Sequence, residues 1–368
     1  MIMTTQRRYD IDWLRVIAIA LLLIYHIAIV FQPWAMFLGF IKSDELMEGL
    51  WKPMTLLNVW RIPFLFFVSG MGVYFAIRKR NWKELLLERS RRILLPFLFG
   101  VVAIVPIHFL LFQAYYHLPI GYVAHPAHLW FLGNIIVYVL LLTPVFFYLK
   151  KSEKGAFRKK LDAWMGNPLG PLSISLLVVL EVILVRPQVF EMYALTWHGF
   201  FIGLMAFFCG FLLVYSGGSF WKTVLNWRWA YLGLALGMYL TRWMVYDLVA
   251  PGYLMAIEST TWIMAIFGFG YKYLNKPSAI LSYLTQAAYP VYILHMVALN
   301  TAASLVLPLD WPVLVKFLAI IGATGLFCFF IFEFLIRRIL FIRPLFGLSL
   351  QSNPDSKLIS GPANSQLS

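Results

Sequence analysis

Charged residues are scarce in this chain: Asp, Glu, Lys and Arg make up 12% of its 368 residues, whereas hydrophobic residues make up 61%. Soluble domains average about 25% charged and about 45–50% apolar residues. The composition therefore excludes an ordinary soluble domain and predicts a membrane protein. Ten spans of about 20 residues each would take more than half of the length, so little chain remains for a separate soluble domain.

Cysteine is almost absent as well. Cys209 and Cys328 both lie in apolar runs, which indicates packing residues rather than a disulfide or a metal site. No Cys/His cluster has the spacing of a zinc site, and no Gly-x-Gly-x-x-Gly or phosphate-binding loop follows a strand-like segment. We therefore expect no metal and no permanently bound cofactor.

Acidic residues are outnumbered by basic ones, 16 to 30, which gives a net charge of +14. The basic residues lie between apolar runs, so contact with the bilayer explains them better than binding of nucleic acid. The first apolar run follows Arg7 and Arg8 and has no cleavage motif of small residues. It is therefore predicted to be a retained helix rather than a signal peptide.

The apolar runs predict an all-α, polytopic bundle of about ten transmembrane helices. The polar segment 349–368 is expected to be a disordered tail, so residues 1–348 are interpreted as one membrane domain. The predicted spans lie near residues 12–32, 54–77, 92–113, 128–149, 172–186, 197–215, 229–247, 254–271, 280–304 and 312–337.

The Lys and Arg residues predict the orientation of these spans. With ten crossings, 23 of the 30 basic residues lie on the same side as the N-terminus, and only Lys42, Lys52 and Arg186 lie on the other. Cytoplasmic loops carry the excess of Lys and Arg. Both termini are therefore expected in the cytoplasm, with the chain in the cell (inner) membrane.

Eight charged or histidine side chains fall within or at the edges of the spans, where each charge costs about 2.5–3.5 kcal/mol on insertion scales. So many polar residues favour a polar cavity over a purely structural bundle. They are Arg15, His26, Arg61, His108, Glu181, Arg242, His295 and Glu333.

Arg15 and His26 are eleven positions apart in the first span. Eleven residues make almost three helical turns, so both side chains lie on one face, about 16 Å apart along the axis. A cation near the cytoplasmic rim and an imidazole near the bilayer middle suit a long substrate with an anionic head and a reactive far end. The same spacing also suits an Arg15 that reaches lipid phosphate and a His26 that only packs.

Five short motifs follow one another along the chain. They are Arg15-x10-His26, Arg61-Ile-Pro-Phe-Leu-Phe-Phe-Val-Ser-Gly70, Arg89-Ser-Arg-Arg92-Ile-Leu-Leu-Pro96, His128-Leu-Trp-Phe-Leu132 and Tyr289-Pro-Val-Tyr-Ile-Leu-His295. In this order they resemble the motifs of the membrane acyltransferase family 3, which O-acylates surface and periplasmic glycans. The ending Glu333–Gly347, with Arg61 and the fourth motif, resembles the glucan-succinylating branch of that family.

The resemblance implies an O-acyltransferase that uses cytosolic acyl-CoA as co-substrate and a glycan hydroxyl on the far side as acceptor. Acetyl and succinyl are both compatible acyl groups. Arg15, with Arg89 and Arg92, is expected to hold the donor phosphates, because guanidinium binds phosphate in a bidentate manner. His26 would be the general base or would carry the acyl group itself.

The remaining candidates are expected around the cavity. His128 and Trp130 would line the acceptor entrance at the outer face, and His295 would face the cavity. Arg61 could pair with a dicarboxylic acyl group, a substrate carboxylate or a neighbouring acid, and Glu333 could line the cavity or bond helix ends near the cytosol. Two other functions remain open: a transporter or flippase of a glycan or acyl carrier, and a non-catalytic scaffold or sensor.

Overall fold

The computed structural model describes residues 7–350, and these residues form helices and no strand. The expected disordered tail, 349–368, lies outside the described residues from position 351 onwards. Between residues 7 and 350, eleven helices carry the fold, numbered here in chain order. They are α1 (Tyr9–Ile29), α2 (Trp51–Ile77), α3 (Trp82–Tyr115), α4 (Ala127–Lys151), α5 (Ala156–Met165), α6 (Leu169–Val185), α7 (Trp197–Ser216), α8 (Gly218–Tyr246), α9 (Gly252–Tyr273), α10 (Ala279–Val306) and α11 (Val313–Ile336).

The helices are those of a multi-pass membrane protein. Within the described part of the chain, eight are long and apolar enough to cross a membrane, and α5 with α6 forms a ninth candidate that is bent by 102°. Helix α8 has 29 residues and is also long enough, but it carries Arg228 and Arg242 and falls outside that set. The all-α, polytopic bundle is thus confirmed, with eight or nine candidate spans among the described residues where the sequence predicts about ten.

Helix α3 begins about ten residues earlier than the sequence predicts. Its start is fixed by Asn81, whose side chain accepts a hydrogen bond from the Glu84 amide while the Glu84 carboxylate accepts one from the Asn81 amide. This reciprocal capping satisfies two amides that a helix start leaves unpaired. Arg89 and Arg92 therefore lie within a helix, at a π-helical turn over Ser90–Leu94, a distortion that is frequent at functional sites.

Helix α2 packs against α7 with the two backbones in close contact. A Cβ atom on Gly70 would lie 1.8 Å from the Phe207 carbonyl oxygen, and one on Gly210 would lie 2.0 Å from that of Phe67. Small residues allow this approach between membrane helices, where dense packing replaces the hydrophobic effect as the driving force. The tight crossing holds α2, and with it Arg61, in a fixed position.

Two prolines within helices create attachment points for loops. Proline has no amide hydrogen, so it leaves the carbonyl four residues earlier without a helical partner. The Tyr193 hydroxyl donates to the Val59 carbonyl freed by Pro63, at 3.1 Å. The Tyr122 hydroxyl likewise donates to the Val102 carbonyl, four residues before Pro106, at 2.8 Å. Loops on the same side as the C-terminal end of α1 are thereby tied to the bundle.

Candidate functional site

A cavity of about 1300 Å³ runs between the helices. One end, here called the basic end, is lined by Arg15, Arg89, Arg92 and Arg343. The other, here called the loop end, is lined by residues 188–196 of the α6–α7 loop together with Trp34 and Trp51. The middle is lined by a third group: His26, Arg61, His108, His128 and Trp130.

At the basic end, two arginines meet beside Gly72. The Gly72 carbonyl accepts a hydrogen bond from Arg89 Nη2 at 3.4 Å, and a Cβ atom on Gly72 would lie 3.6 Å from Arg15 Nη2. Glu88 approaches Arg89 at 3.3 Å and Arg92 at 3.4 Å. These contacts are long for ion pairs, so the guanidinium groups keep hydrogen-bonding capacity for a ligand anion.

Arg343 adds a fourth guanidinium, which the sequence analysis placed among the cytoplasmic basic residues and within the ending that resembles the glucan-succinylating branch. It begins a 3-10 turn, and its buried Nε has no hydrogen-bond partner among the described residues. The turn ends at Gly347, which has φ +75° and whose Cβ would lie 2.8 Å from the Arg92 carbonyl oxygen. Only glycine fits this left-handed, crowded position, so Gly347 brings Arg343 against α3.

Two histidines form a hydrogen-bonded pair in the middle of the cavity. His26 Nδ1 lies 2.8 Å from His295 Nε2, and His295 Nδ1 lies 2.6 Å from the Tyr292 carbonyl oxygen. A carbonyl oxygen only accepts, so a neutral His295 must carry its proton on Nδ1. Its Nε2 must then accept the proton that His26 Nδ1 donates.

This arrangement leaves His26 Nε2 with a free lone pair. Nε2 has no hydrogen-bond partner in the described part of the chain, and His26 lines the cavity whereas His295 is buried at 1% exposure. A neutral imidazole with an accessible lone pair can accept a proton or attack a carbonyl carbon. His295 orients His26 and fixes its tautomer.

His128 lies deeper than predicted. Its ring centroid is 4.9 Å from that of His295, its Nε2 lies 3.2 Å from the Ile293 carbonyl oxygen, and its own carbonyl accepts from the Tyr292 hydroxyl. The short 3-10 turn at the start of α4 therefore brings His128 to the histidine pair. Trp130 also lines the cavity, but it is 8% exposed and packs on Phe66.

Two other predicted polar residues have local partners. Glu333 is not part of the cavity lining formed by the described residues; it accepts from Arg337 at 2.9 Å and from Tyr283 at 3.2 Å. Both partners are side chains, one of them four residues further along the chain. His108 lines the cavity, and its Nε2 lies 3.1 Å from the Gly39 carbonyl oxygen. Residues 7–350 contain no group of three or more His, Cys, Asp or Glu that could hold a metal ion.

Buried charges at the loop end form a network that the sequence analysis missed. Arg242 donates to Glu258 at 2.7 and 2.9 Å and to Glu191 at 3.3 Å. Separately, His198 Nδ1 lies 2.9 Å from Glu181. Glu258 lies inside a predicted span, so the cost of a charge in the membrane would have identified it, but the choice of partners depends on helix packing.

Glu191 belongs both to this network and to the cavity lining. Burial raises the pKa of the Glu191 carboxyl to about 7, while the positive charge of Arg242 acts in the opposite direction. The Glu191 backbone carbonyl also accepts a hydrogen bond from Asn58 at 3.4 Å. The loop between α6 and α7 is therefore held over its end of the cavity by a side-chain contact and a backbone contact.

Comparison with known proteins agrees with this arrangement. The family model described as an acyltransferase domain matches residues 8–333. No curated protein and no solved structure matches the chain. The matched segment runs from the start of α1 into α11 and includes the arginines beside Gly72 and the histidine pair. Because this match covers most of its length, the chain belongs to the acyltransferase 3 family.

Proposed function

We propose that the protein is an O-acyltransferase of the cell (inner) membrane that transfers an acetyl or succinyl group from acyl-CoA to a hydroxyl of an extracytoplasmic glycan. The observation that carries this proposal is the single cavity that joins four arginines to His26. The distribution of Lys and Arg orients the basic end toward the cytoplasm, where acyl-CoA is available.

The donor would bind with its phosphates at the basic end. Arg15, Arg89 and Arg92 supply the fixed positive charge, and Arg343 extends it. From Arg15 to His26 the helix rises about 16 Å, so the pantetheine arm would run along α1 and bring the thioester to the imidazole. The acceptor would enter from the loop end, beside Trp34 and Trp51, whose rings can stack on sugars.

His26 would act as a general base in the transfer. Its Nε2 takes the proton of the acceptor hydroxyl, and the hydroxyl oxygen attacks the thioester carbonyl carbon. The carbon–sulfur bond breaks, and the imidazolium returns its proton to the leaving thiolate, giving the ester and free CoA. In the second route Nε2 attacks the carbonyl carbon, the carbon–sulfur bond breaks, and the CoA thiolate leaves with the acyl group held on Nε2. The acceptor hydroxyl then attacks that acyl group, its proton goes to the thiolate, and His26 is released. Both routes need the free lone pair.

The test uses the purified protein in lipid nanodiscs with radiolabelled acetyl-CoA or succinyl-CoA and glycan extracted from the cell envelope. We expect label in the glycan and release of CoA. His26→Ala should lower the rate by about 10²–10⁴-fold, the range for removal of a general base, while acyl-CoA still binds. Arg89→Gln should instead weaken acyl-CoA binding.

The matched control is His117→Ala, because His117 is exposed and is not among the residues that line the cavity. It should retain the wild-type rate. Turnover of His26→Ala within a few-fold of wild type would remove His26 from the mechanism. A transporter or flippase would move substrate across vesicles with neither labelled glycan nor released CoA, and that result would overturn the enzyme assignment.

A further inference from the structure

Arg61 is a buried cation whose hydrogen-bonding capacity is largely unused. Its side chain lies on α2, lines the cavity and is 2% exposed. The guanidinium carbon lies 3.9 Å from the centroid of the Tyr25 ring, and Nη2 donates to Asn58 Oδ1 at 3.2 Å. Nε and Nη1 are both buried and have no partner in residues 7–350.

The other buried cations have carboxylate partners. Arg242 bonds Glu258 at 2.7 Å, and Lys316 bonds Glu45 at 2.9 Å. No carboxylate of the described residues lies within 4.0 Å of Arg61. Among these residues Arg61 therefore has no neighbouring acid as partner, and a dicarboxylic acyl group and a substrate carboxylate are the two remaining candidates. A buried charge without a counter-charge is costly, and a ligand anion would remove that cost.

Arg61 lies beside the residue that directly precedes His26. Tyr25, on which its guanidinium stacks, directly precedes His26, and consecutive Cα atoms are about 3.8 Å apart. The Tyr25 ring and Asn58 orient the guanidinium without neutralising it. Its Nε and Nη1 point in different directions, and each offers an unused donor from which a carboxylate oxygen could accept a charge-assisted hydrogen bond.

We propose that Arg61 binds a carboxylate of the substrate close to the reacting carbonyl, carried either by the transferred acyl group or by the acceptor. The placement of the reacting atoms rests on the proposed function. A dicarboxylic acyl group would extend its free carboxylate past His26 toward Arg61, whereas an acidic glycan would bring its carboxylate from the loop end. Arg61 would thus determine specificity without taking part in proton transfer.

The first experiment separates the two sources. In the donor arm, succinyl-CoA is compared with butyryl-CoA, which has the same four carbons but no carboxylate. In the acceptor arm, acetyl-CoA is the donor, and oligogalacturonate is compared with a neutral galactose oligosaccharide of equal length. Wild type should bind and use the anionic member of one pair at least tenfold better. In Arg61→Met the ratio between the anionic and the neutral member of that pair should fall to about one.

Two further variants keep the result interpretable. Arg61→Lys retains the positive charge but not the planar guanidinium group, so it should keep part of the preference even if Arg61→Met does not fold. Lys316→Met removes a buried cation that is not part of the cavity lining and should change neither pair. Loss of preference in the donor arm identifies the acyl carboxylate, and loss in the acceptor arm identifies the glycan. An unchanged preference in both arms overturns the proposal.

The failure of the proposed function would be recognised separately. If wild type neither binds nor uses any CoA thioester, the acyltransferase mechanism is wrong. Binding of free succinate against uncharged succinamide, measured calorimetrically on wild type and Arg61→Met, then tests Arg61 alone. Equal binding of both compounds by both proteins would exclude a carboxylate site.

Discussion

At the scale of single residues, the proposed chemistry depends on which nitrogen of His26 faces the cavity. The Tyr292 carbonyl fixes the proton of His295, and His295 in turn fixes that of His26. This chain of two hydrogen bonds presents an unprotonated Nε2 to the cavity. His295 is thus a positioning residue that acts through His26 and does not itself reach the substrate space.

This role predicts different outcomes for two substitutions of His295. His295→Leu removes the acceptor for His26 Nδ1 and should lower kcat by about 10–100-fold, the range for removing a residue that orients a reactive ligand. His295→Gln places an amide oxygen near the position of Nε2 and should restore much of that loss. Steady-state kinetics with a fixed donor and acceptor measure both, and KM for acyl-CoA should stay unchanged.

The comparison of Gln with Leu separates positioning from packing. If His295 only fills space, Leu should perform as well as Gln and both should resemble wild type. If His295 were itself the base, Gln should be as inactive as Leu.

The residue pattern predicted part of this site. The separation of eleven positions from Arg15 to His26 predicted a shared helical face, and both side chains line one cavity. The contact between His26 and His295 was not predictable, because these residues lie 269 positions apart and meet only through the packing of α1 against α10. The tautomers depend on a backbone carbonyl, which no side-chain pattern reveals.

At the scale of elements, the α6–α7 loop is held in place by contacts of different chemistry. Tyr193 uses the carbonyl that Pro63 frees in α2, and Glu191 pairs with Arg242 of α8. The loop lines the end of the cavity opposite the arginines. Its position should therefore control access from that side, and its charged contact should respond to pH.

The direction of the pH response follows from the pKa of Glu191. Burial raises this pKa from 4.5 to about 7 in the closed loop, whereas a solvated carboxyl keeps an ordinary value. The closed loop thus binds the proton more tightly than an open one. The contribution of Glu191 to the stability of the closed loop, relative to an open loop, is complete below about pH 4.5 and is lost as the pH rises to about 7. The reason is that the desolvation of the ionised, buried carboxylate outweighs its attraction to Arg242.

Hydrogen exchange of residues 187–196 tests this prediction. After correction for intrinsic exchange rates, the loop should be more protected at pH 5 than at pH 8. Glu191→Gln stays neutral and should show equal protection at both values, which distinguishes Glu191 from the nearby Glu258, Glu181 and His198. Greater protection at pH 8 in wild type would contradict the prediction.

Helices were easier to predict than their ends. Apolar runs identified the spans, but the early start of α3 depends on the reciprocal bonds of Asn81 and Glu84. Helix α5 carries Arg158 and was predicted only as a basic connection. It forms a helix against the bundle, where Arg158 donates to the Tyr215 carbonyl at 2.8 Å. The start of α3 and the position of α5 depend on local hydrogen bonds, which the hydropathy of the sequence does not report.

At the scale of the whole molecule, one cavity has two chemically different ends. Arginines line one end, whereas aromatic rings and a loop line the other. An enzyme that takes its donor from one side of a membrane and its acceptor from the other needs this asymmetry. The asymmetry also predicts that each end is reached from a different aqueous compartment.

Cysteine labelling measures that access directly. Cys209 and Cys328 are 4% and 1% exposed, so the unsubstituted protein should give a low background with a membrane-impermeant maleimide. Val189→Cys, at the loop end, should be labelled in right-side-out vesicles, in which the extracytoplasmic face of the protein is on the outside. Thr285→Cys, on α10 in the cavity lining, should be labelled only in inverted vesicles, because we place it near the donor site.

Acyl-CoA provides the decisive comparison between these two positions. The phosphates of acyl-CoA would bind near Arg89, and its pantetheine arm would fill the inner half of the cavity. At 10 times its Kd, acyl-CoA should therefore slow labelling of Thr285→Cys by about tenfold, as expected when a ligand occupies the site by mass action. Labelling of Val189→Cys should be unaffected, because that position lies beyond His26. Labelling of both positions from the same side would mean that the cavity does not connect two compartments. A donor that reached His26 from the acceptor side would then replace the proposed arrangement.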